Sequence, residues 1–119
     1  MQNMVELILD DEKIRREGKY NVRKFHDAVD DVFVNQAGLV KEGNFYVEYE
    51  PKNVMGNGMG CIMFLAGKQW FRENVKEMRW YRDIHHYGPG HDYHVEDVKK
   101  ELIDDWEEDR RRNGLPINR

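Results

Sequence analysis

The sequence predicts an α+β fold: a ferredoxin-like, split βαβ (βαββαβ) antiparallel sheet with an additional C-terminal helix, in one domain spanning residues 1–119. Three observations carry this expectation. Stretches that alternate or are uniformly apolar, as strands do, are interleaved with stretches at helical spacing. One helical stripe is framed by a polar cap and a glycine stop. No fixed-period repeat, low-complexity tract or Pro/Gly-rich linker divides the chain.

Met4 to Leu9 alternates, with Val5, Leu7 and Leu9 on one side and Met4, Glu6 and Ile8 on the other, as a mostly buried strand would. Asp10 to Glu17 is charged enough for one solvated helical turn. Asn21 then offers an N-cap oxygen, and Val22, Phe25, Val29, Val32 and Phe33 follow on one helical stripe up to Gly38. Leu39 and Val40 lead through the turn-like Lys41-Glu42-Gly43-Asn44 into Phe45 to Glu50, where Phe45, Val47 and Tyr49 alternate with Tyr46, Glu48 and Glu50 in a half-buried strand.

Pro51 ends that strand. Lys52 to Met59 reads as a Gly/Asn-rich connection, and Gly60 to Ala66 as a short, central, fully apolar strand. Lys68 to about Met78 can form a helix packing Phe71, Val75 and Met78, and Arg79 to Ile84 is aromatic enough to return to the sheet, with helix and strand both open over this stretch. Asp92 is placed to cap a last helix with the stripe Val95, Val98, Leu102 and Trp106, ending at Asn113-Gly114.

Composition excludes more than it assigns. The chain contains no Ser and no Thr, which removes hydroxyl nucleophiles of those types and the P-loop hydroxyl. Its longest apolar stretch, Cys61 to Ala66, falls far short of the ~20 residues that span a bilayer. The N-terminal segment is interrupted by Glu6 and closed by Asp10 and Asp11, unlike a secretion signal. The lone Cys61 cannot form an intramolecular disulfide, so a reducing, cytoplasmic setting is expected. A net charge of −4 argues against a general nucleic-acid coat.

Charge is segregated along the chain. Residues 13–24 carry six cations against Glu17 alone, whereas residues 96–109 carry eight carboxylates against Lys99 and Lys100. The expected function is therefore non-catalytic: binding, and through binding the inhibition or regulation, of a macromolecule, with a protein partner ahead of nucleic acid. The contact residues expected are Glu101, Asp104, Asp105 and Glu108 of the acidic helix, Arg15 and Arg16 of the basic segment, and Trp80; Trp70 is weighed with it, core packing being the competing role for both rings. The protein is expected to be a monomer or homodimer.

A second expectation, of a different class, is a metal-binding protein or metal-dependent enzyme. His85, His86, His91 and His94 flank a Gly88-Pro89-Gly90 turn and suit a transition metal, although their spacing matches no Cys/His zinc pattern. The third is a nucleic-acid-binding module stacking bases on Tyr46, Trp80 or Tyr81, although the RNA-recognition motif itself is absent. Gly56-Asn57-Gly58-Met59-Gly60 fails as a phosphate loop, because Cys61 breaks the pattern and a strand is expected to follow. Cys61 is expected as a small buried hydrophobe, and His26, four residues before Asp30, as a histidine at the core edge.

Overall fold

A computed structural model describes residues 2–53, 56–85 and 88–117. Within them the chain forms five antiparallel strands in one open sheet and five α-helices. The strands are β1 (Gln2–Leu9), β2 (Val40–Glu42), β3 (Phe45–Tyr49), β4 (Val75–Asp83) and β5 (Tyr93–Asp97), in spatial order β2-β3-β1-β4-β5. The helices are α1 (Asp11–Glu17), α2 (Val22–Asp30), α3 (Gly58–Ala66), α4 (Gln69–Arg72) and α5 (Asp105–Arg112). α2 runs on into π-helical turns at Asp31–Gln36, and α5 is entered through π-helical turns at Lys100–Asp104.

β1 is the organising strand. It pairs with β3 on one side and β4 on the other, and its buried face is Asn3, Val5, Leu7 and Leu9. Opposite Val5 stand Tyr46 and Trp80, and opposite Leu7 stands Met78; paired residues share a face, so these side chains form one apolar floor. Phe25, Val29, Phe33, Ile62, Leu65, Phe71, Val98 and Ile103 of the helical segments complete the same cluster. The helices therefore cover one face of the sheet.

Several expectations hold at residue level. Asn21 caps α2 by accepting from the Lys24 amide at 3.0 Å, and Phe25, Val29, Val32 and Phe33 are buried from the one stripe. Gly38 stops the segment in the left-handed region, with φ of 79°. The charged turn expected at Asp10 to Glu17 forms as α1, with two features the sequence reading did not assign: Asp10 caps it through the Lys13 amide and Gly18 closes it, with φ of 68°.

Gly60 to Ala66 is a helix, not the expected strand. The run has no period to distinguish the two, and both neighbours of β1 are already filled by β3 and β4. The segment instead lies as α3 on the covered face, burying Cys61, Ile62 and Leu65 and leaving Met63 and Phe64 exposed. A side chain at Gly58 would meet Val5 Cγ2 at 3.3 Å, which shows how closely the start of the helix rests on the sheet.

The helix expected over Lys68 to Met78 shrinks to the single turn α4, and β4 begins at Val75 rather than Arg79. A bulge explains the misleading spacing: Ile8 pairs with Glu77 but Leu9 with Val75, so Val75 and Met78 both face the core although three residues apart. Tyr93–Asp97 is a strand, so Asp92 precedes a strand and not the last helix, whose cap is Asp97, accepting from the Lys100 amide at 3.1 Å. That helix buries Val98 and Ile103, five residues apart, as the wider π-helical turn requires, instead of the expected stripe through Val95 and Leu102.

The hairpin turn Gly43–Asn44 also creates β2, a strand the sequence reading passes over. No helix of the described residues is long and apolar enough to cross a membrane.

Candidate functional site

The uncovered face of the sheet is set by strand parity. Pairing register puts Met4, Glu6 and Ile8 of β1 there, beside Phe45, Val47 and Tyr49 of β3, Arg79 and Tyr81 of β4, Tyr93 and Val95 of β5, and Val40 of β2. β3 thus turns its more apolar side away from the helices and its more polar side, Tyr46 and Glu48, toward them. Val47 is buried on this face yet lies outside the main core cluster.

Aromatic rings cross this face in edge contact. Phe45 and Tyr81 meet at 5.6 Å between centroids, Tyr81 and Tyr93 at 6.0 Å, and the His91 ring stacks on Tyr93 at 5.7 Å. T-shaped contacts of this kind align the positive edge of one ring with the negative face of the next and hold both in place. Tyr49, Val40 and Val95 lie exposed toward the margins.

The charges among the rings are mostly acidic. Arg79 is the one cation in the centre, and it is engaged by Glu6 at 3.0 Å and Glu77 at 3.3 Å. Tyr81 donates its hydroxyl to Glu6 at 3.1 Å and Tyr49 donates to Glu42 at 2.6 Å. Burial, then the bond to Glu6, raises the Tyr81 phenol; burial and the charge of Asp83 raise Tyr93; the bond to Glu42 and, secondarily, burial raise Tyr49. All three stay protonated donors at neutral pH.

One end of the face is built on Asp83, whose side chain has no solvent exposure. It accepts from the amides of Gln2 at 3.0 Å, His85 at 2.9 Å and Asp92 at 3.2 Å, and contacts His91 Nδ1 at 2.7 Å. Burial works to raise its carboxyl, but the bonds from His91 and the three amides outweigh it and hold the group well below the usual carboxylate range. This carboxylate ties the start of β1, the end of β4 and the histidine loop into one unit.

No protein-family model matches the chain, and no curated protein or solved structure matches it. The site must be read from its own geometry.

The histidines go separate ways. His91 is held by Asp83, and His94 contacts Glu96 at 3.3 Å on the opposite side of β5. The His85 Nε2 is buried without a hydrogen-bond partner among the described residues. His86 lies outside the described residues. Among those described, no group of three or more His, Cys, Asp or Glu side chains is placed to hold a metal. His26 pairs with Asp11 of α1 at 2.6 Å, not with Asp30, whose carboxylate takes Lys41 and the Tyr46 hydroxyl.

The expected contact residues are divided. Trp80 is corrected to a core residue: it is 2% exposed, because β4 directs it with Met78 onto the covered face. Tyr46 is buried on that face too, so of the three expected stacking residues only Tyr81 stands on the open side. Asp104, Asp105 and Glu108 are exposed but engaged by Lys99, Lys100 and Arg112 of their own segment, and Glu101 is exposed. Arg15 and Arg16 are exposed on α1. Phe45 and Tyr93 were missed by sequence reasoning: the alternation around Phe45 was visible, but not which side of it would be covered, and the segment of Tyr93 was expected as the start of the last helix.

The glycine segment gains the strand-loop-helix context that the sequence reading denied it, because α3 replaces the expected strand. An internal anion already fills its mouth: the buried Glu48 accepts the Asn57 amide with both oxygens, at 3.0 and 2.9 Å. A carboxylate here offsets the positive end of the helix. Glu48→Ala is expected to lower stability by about 2 kcal/mol and Glu48→Gln by about half that, read as shifts in urea midpoint. Equal midpoints for Glu48→Ala and the parent chain would refute this capping role.

Cys61, beside this helix start, is a buried thiol pushed up to about 11 by burial and, secondarily, by the Glu48 charge. It sits as a small hydrophobe with its thiol 3.7 Å from the Val32 carbonyl.

Proposed function

We propose that this is a binding protein that regulates or inhibits a protein partner by covering it with the open face of its sheet. The observation carrying the reading is the orientation of β3: Phe45, Val47 and Tyr49 are spent on the face without helices, while Tyr46 and Glu48 are turned into the core. A sheet face with half-exposed Phe45, Tyr81 and Tyr93 offers rigid aromatic anchors at little entropic cost, the composition favoured at interface centres.

Charge selects the occupant. Among the described residues that the strand register places on this face, Glu6, Glu42, Glu77 and Asp97 stand with the single cation Arg79, so it repels phosphates and complements a basic protein surface, whose arginines can also stack on tyrosine. This favours protein over nucleic acid. The strand order β2-β3-β1-β4 supports reading the first four strands and intervening helices as a ferredoxin-like split βαβ unit, extended by β5 and α5. The free thiol of Cys61 supports a cytoplasmic setting.

The test uses defined probes: a labelled Arg/Tyr-rich peptide, a Glu/Tyr-rich peptide and a single-stranded oligonucleotide, with amide shifts followed by NMR. The basic peptide is expected to shift β1, β3 and β4 resonances and to bind about tenfold more weakly to the Phe45→Ala/Tyr81→Ala variant. Shifts confined to the helices, or preferential binding of the oligonucleotide or acidic peptide, would overturn the proposal.

A further inference from the structure

On the helical side, the turn between α1 and α2 and the outer faces of α2 and α4 border an open cleft of about 490 Å³. Its position follows from the local sequence. Gly18 ends α1 in the left-handed region, the chain turns through Lys19 and Tyr20, and Asn21 starts α2, so Tyr20 stands over the first turns of α2.

The apolar lining is the rings of Tyr20, Phe25 and Trp70 together with Ala28, whose small side chain takes up little of the space. Tyr20 packs edge-on against Phe25 at 5.8 Å, and Phe25 edge-on against Trp70 at 5.2 Å. Phe25 is buried, whereas Tyr20 is 43% exposed and Trp70 half-buried, so both outer rings present surface to the cleft. Trp70 is held from behind by Phe71 at 6.2 Å.

Two cations, Lys19 and Lys24, line the same cleft, and neither forms an ion pair among the described residues. This contrasts with α5 and the turns before it, where Lys99, Lys100 and Arg112 are all engaged by carboxylates. A neighbouring hollow of about 250 Å³ shares Lys19, Tyr20 and Trp70 and extends toward Gln69 and Glu73. The Glu73 carboxylate accepts from Gln69, and it makes that end unfavourable for an anion. The cleft is therefore polar in one sense, with positive charge at the α2 end and rings in the middle.

We infer that this cleft binds a planar aromatic ring carrying a phosphate, the chemistry of a mononucleotide, with the ring between Tyr20 and Trp70 and the phosphate toward Lys24 and Lys19. The volume lies within the range of small-ligand sites, and ring stacking with ammonium contacts to phosphate supplies both halves of the recognition. The site is separate from the open sheet face, so it does not depend on the peptide-binding reading.

Titration calorimetry with AMP, adenosine, inorganic phosphate and benzoate tests it on the full chain. AMP is expected to bind, and adenosine, phosphate and benzoate each to bind at least about tenfold more weakly. Lys19→Ala/Lys24→Ala should weaken AMP by about tenfold or more and leave adenosine little changed. Ala28→Trp, on an exposed helix position, should block AMP while an unchanged melting curve shows that the fold is intact. Absence of AMP binding, AMP affinity unaffected by both variants, or benzoate binding as well as AMP would each overturn the inference. Tighter binding of a short single-stranded oligonucleotide than of AMP would overturn the assignment to a free nucleotide.

Discussion

Replacing Trp80 by alanine is expected to lower stability by about 4 kcal/mol, a large part of the roughly 5–15 kcal/mol that holds a domain of this kind folded. The ring sits at 2% exposure on β4, opposite Val5 of the central strand and close to Gly58 at the start of α3. Alanine would leave a void between sheet and helix that neither can close, because each is held by its own backbone bonds. Trp80→Phe is expected to cost less than about 1.5 kcal/mol. It keeps most of the ring contact and removes an indole N–H that has no partner among the described residues, a group whose burial is unfavourable. Urea midpoints measure both changes. An alanine variant as stable as the parent would place Trp80 outside the core, where it could again serve as a contact.

Asp83→Ala should lower the melting temperature by roughly 10–15 °C at neutral pH, corresponding to about 3 kcal/mol. The loss is concentrated in three amides, those of Gln2, His85 and Asp92, which lose their acceptor, and in His91, which loses its anchor. The folded carboxyl is held below its unfolded value of 3.8, so the native state binds fewer protons than the unfolded chain around that pH. Its contribution is therefore complete above about pH 5 and drains away as pH falls through and below 4. The gap between parent and variant should narrow over that acid range. Thermal melts followed by circular dichroism at neutral pH and at successive acid values decide the matter. A gap that stays constant, or widens, on acidification would rule out the charged carboxylate as the source.

These two residues show how unevenly the site could be read in advance. Trp80 sits in an aromatic stretch for which strand and helix both stayed open, and nothing in its composition says which side a helix will cover. The same ambiguity hid Phe45, whereas Tyr93 was hidden because its segment reads as the start of the last helix and folds as β5. The histidine loop was visible as a cluster, but sequence proximity did not imply convergence. β5 carries His94 to one side of the sheet while Asp83 draws His91 to the other. The role of Asp83 comes from three backbone amides that converge on it only after folding.

By itself the sequence determined what depends on local chemistry: α2 from its Asn21 cap and single stripe, the alternation of β1, the stop at Gly38, and the lack of Ser and Thr nucleophiles. Only the tertiary structure decided what depends on competition for space. Gly60 to Ala66 became a helix because β1 had no free edge, Val75 joined Met78 inside through a bulge, and β3 exposed its apolar side because its partner strands set its register. Caps and stripes act within a few residues and are written in the chain. Which face is buried is settled between elements far apart in sequence, and the binding surface proposed here is a consequence of that settlement.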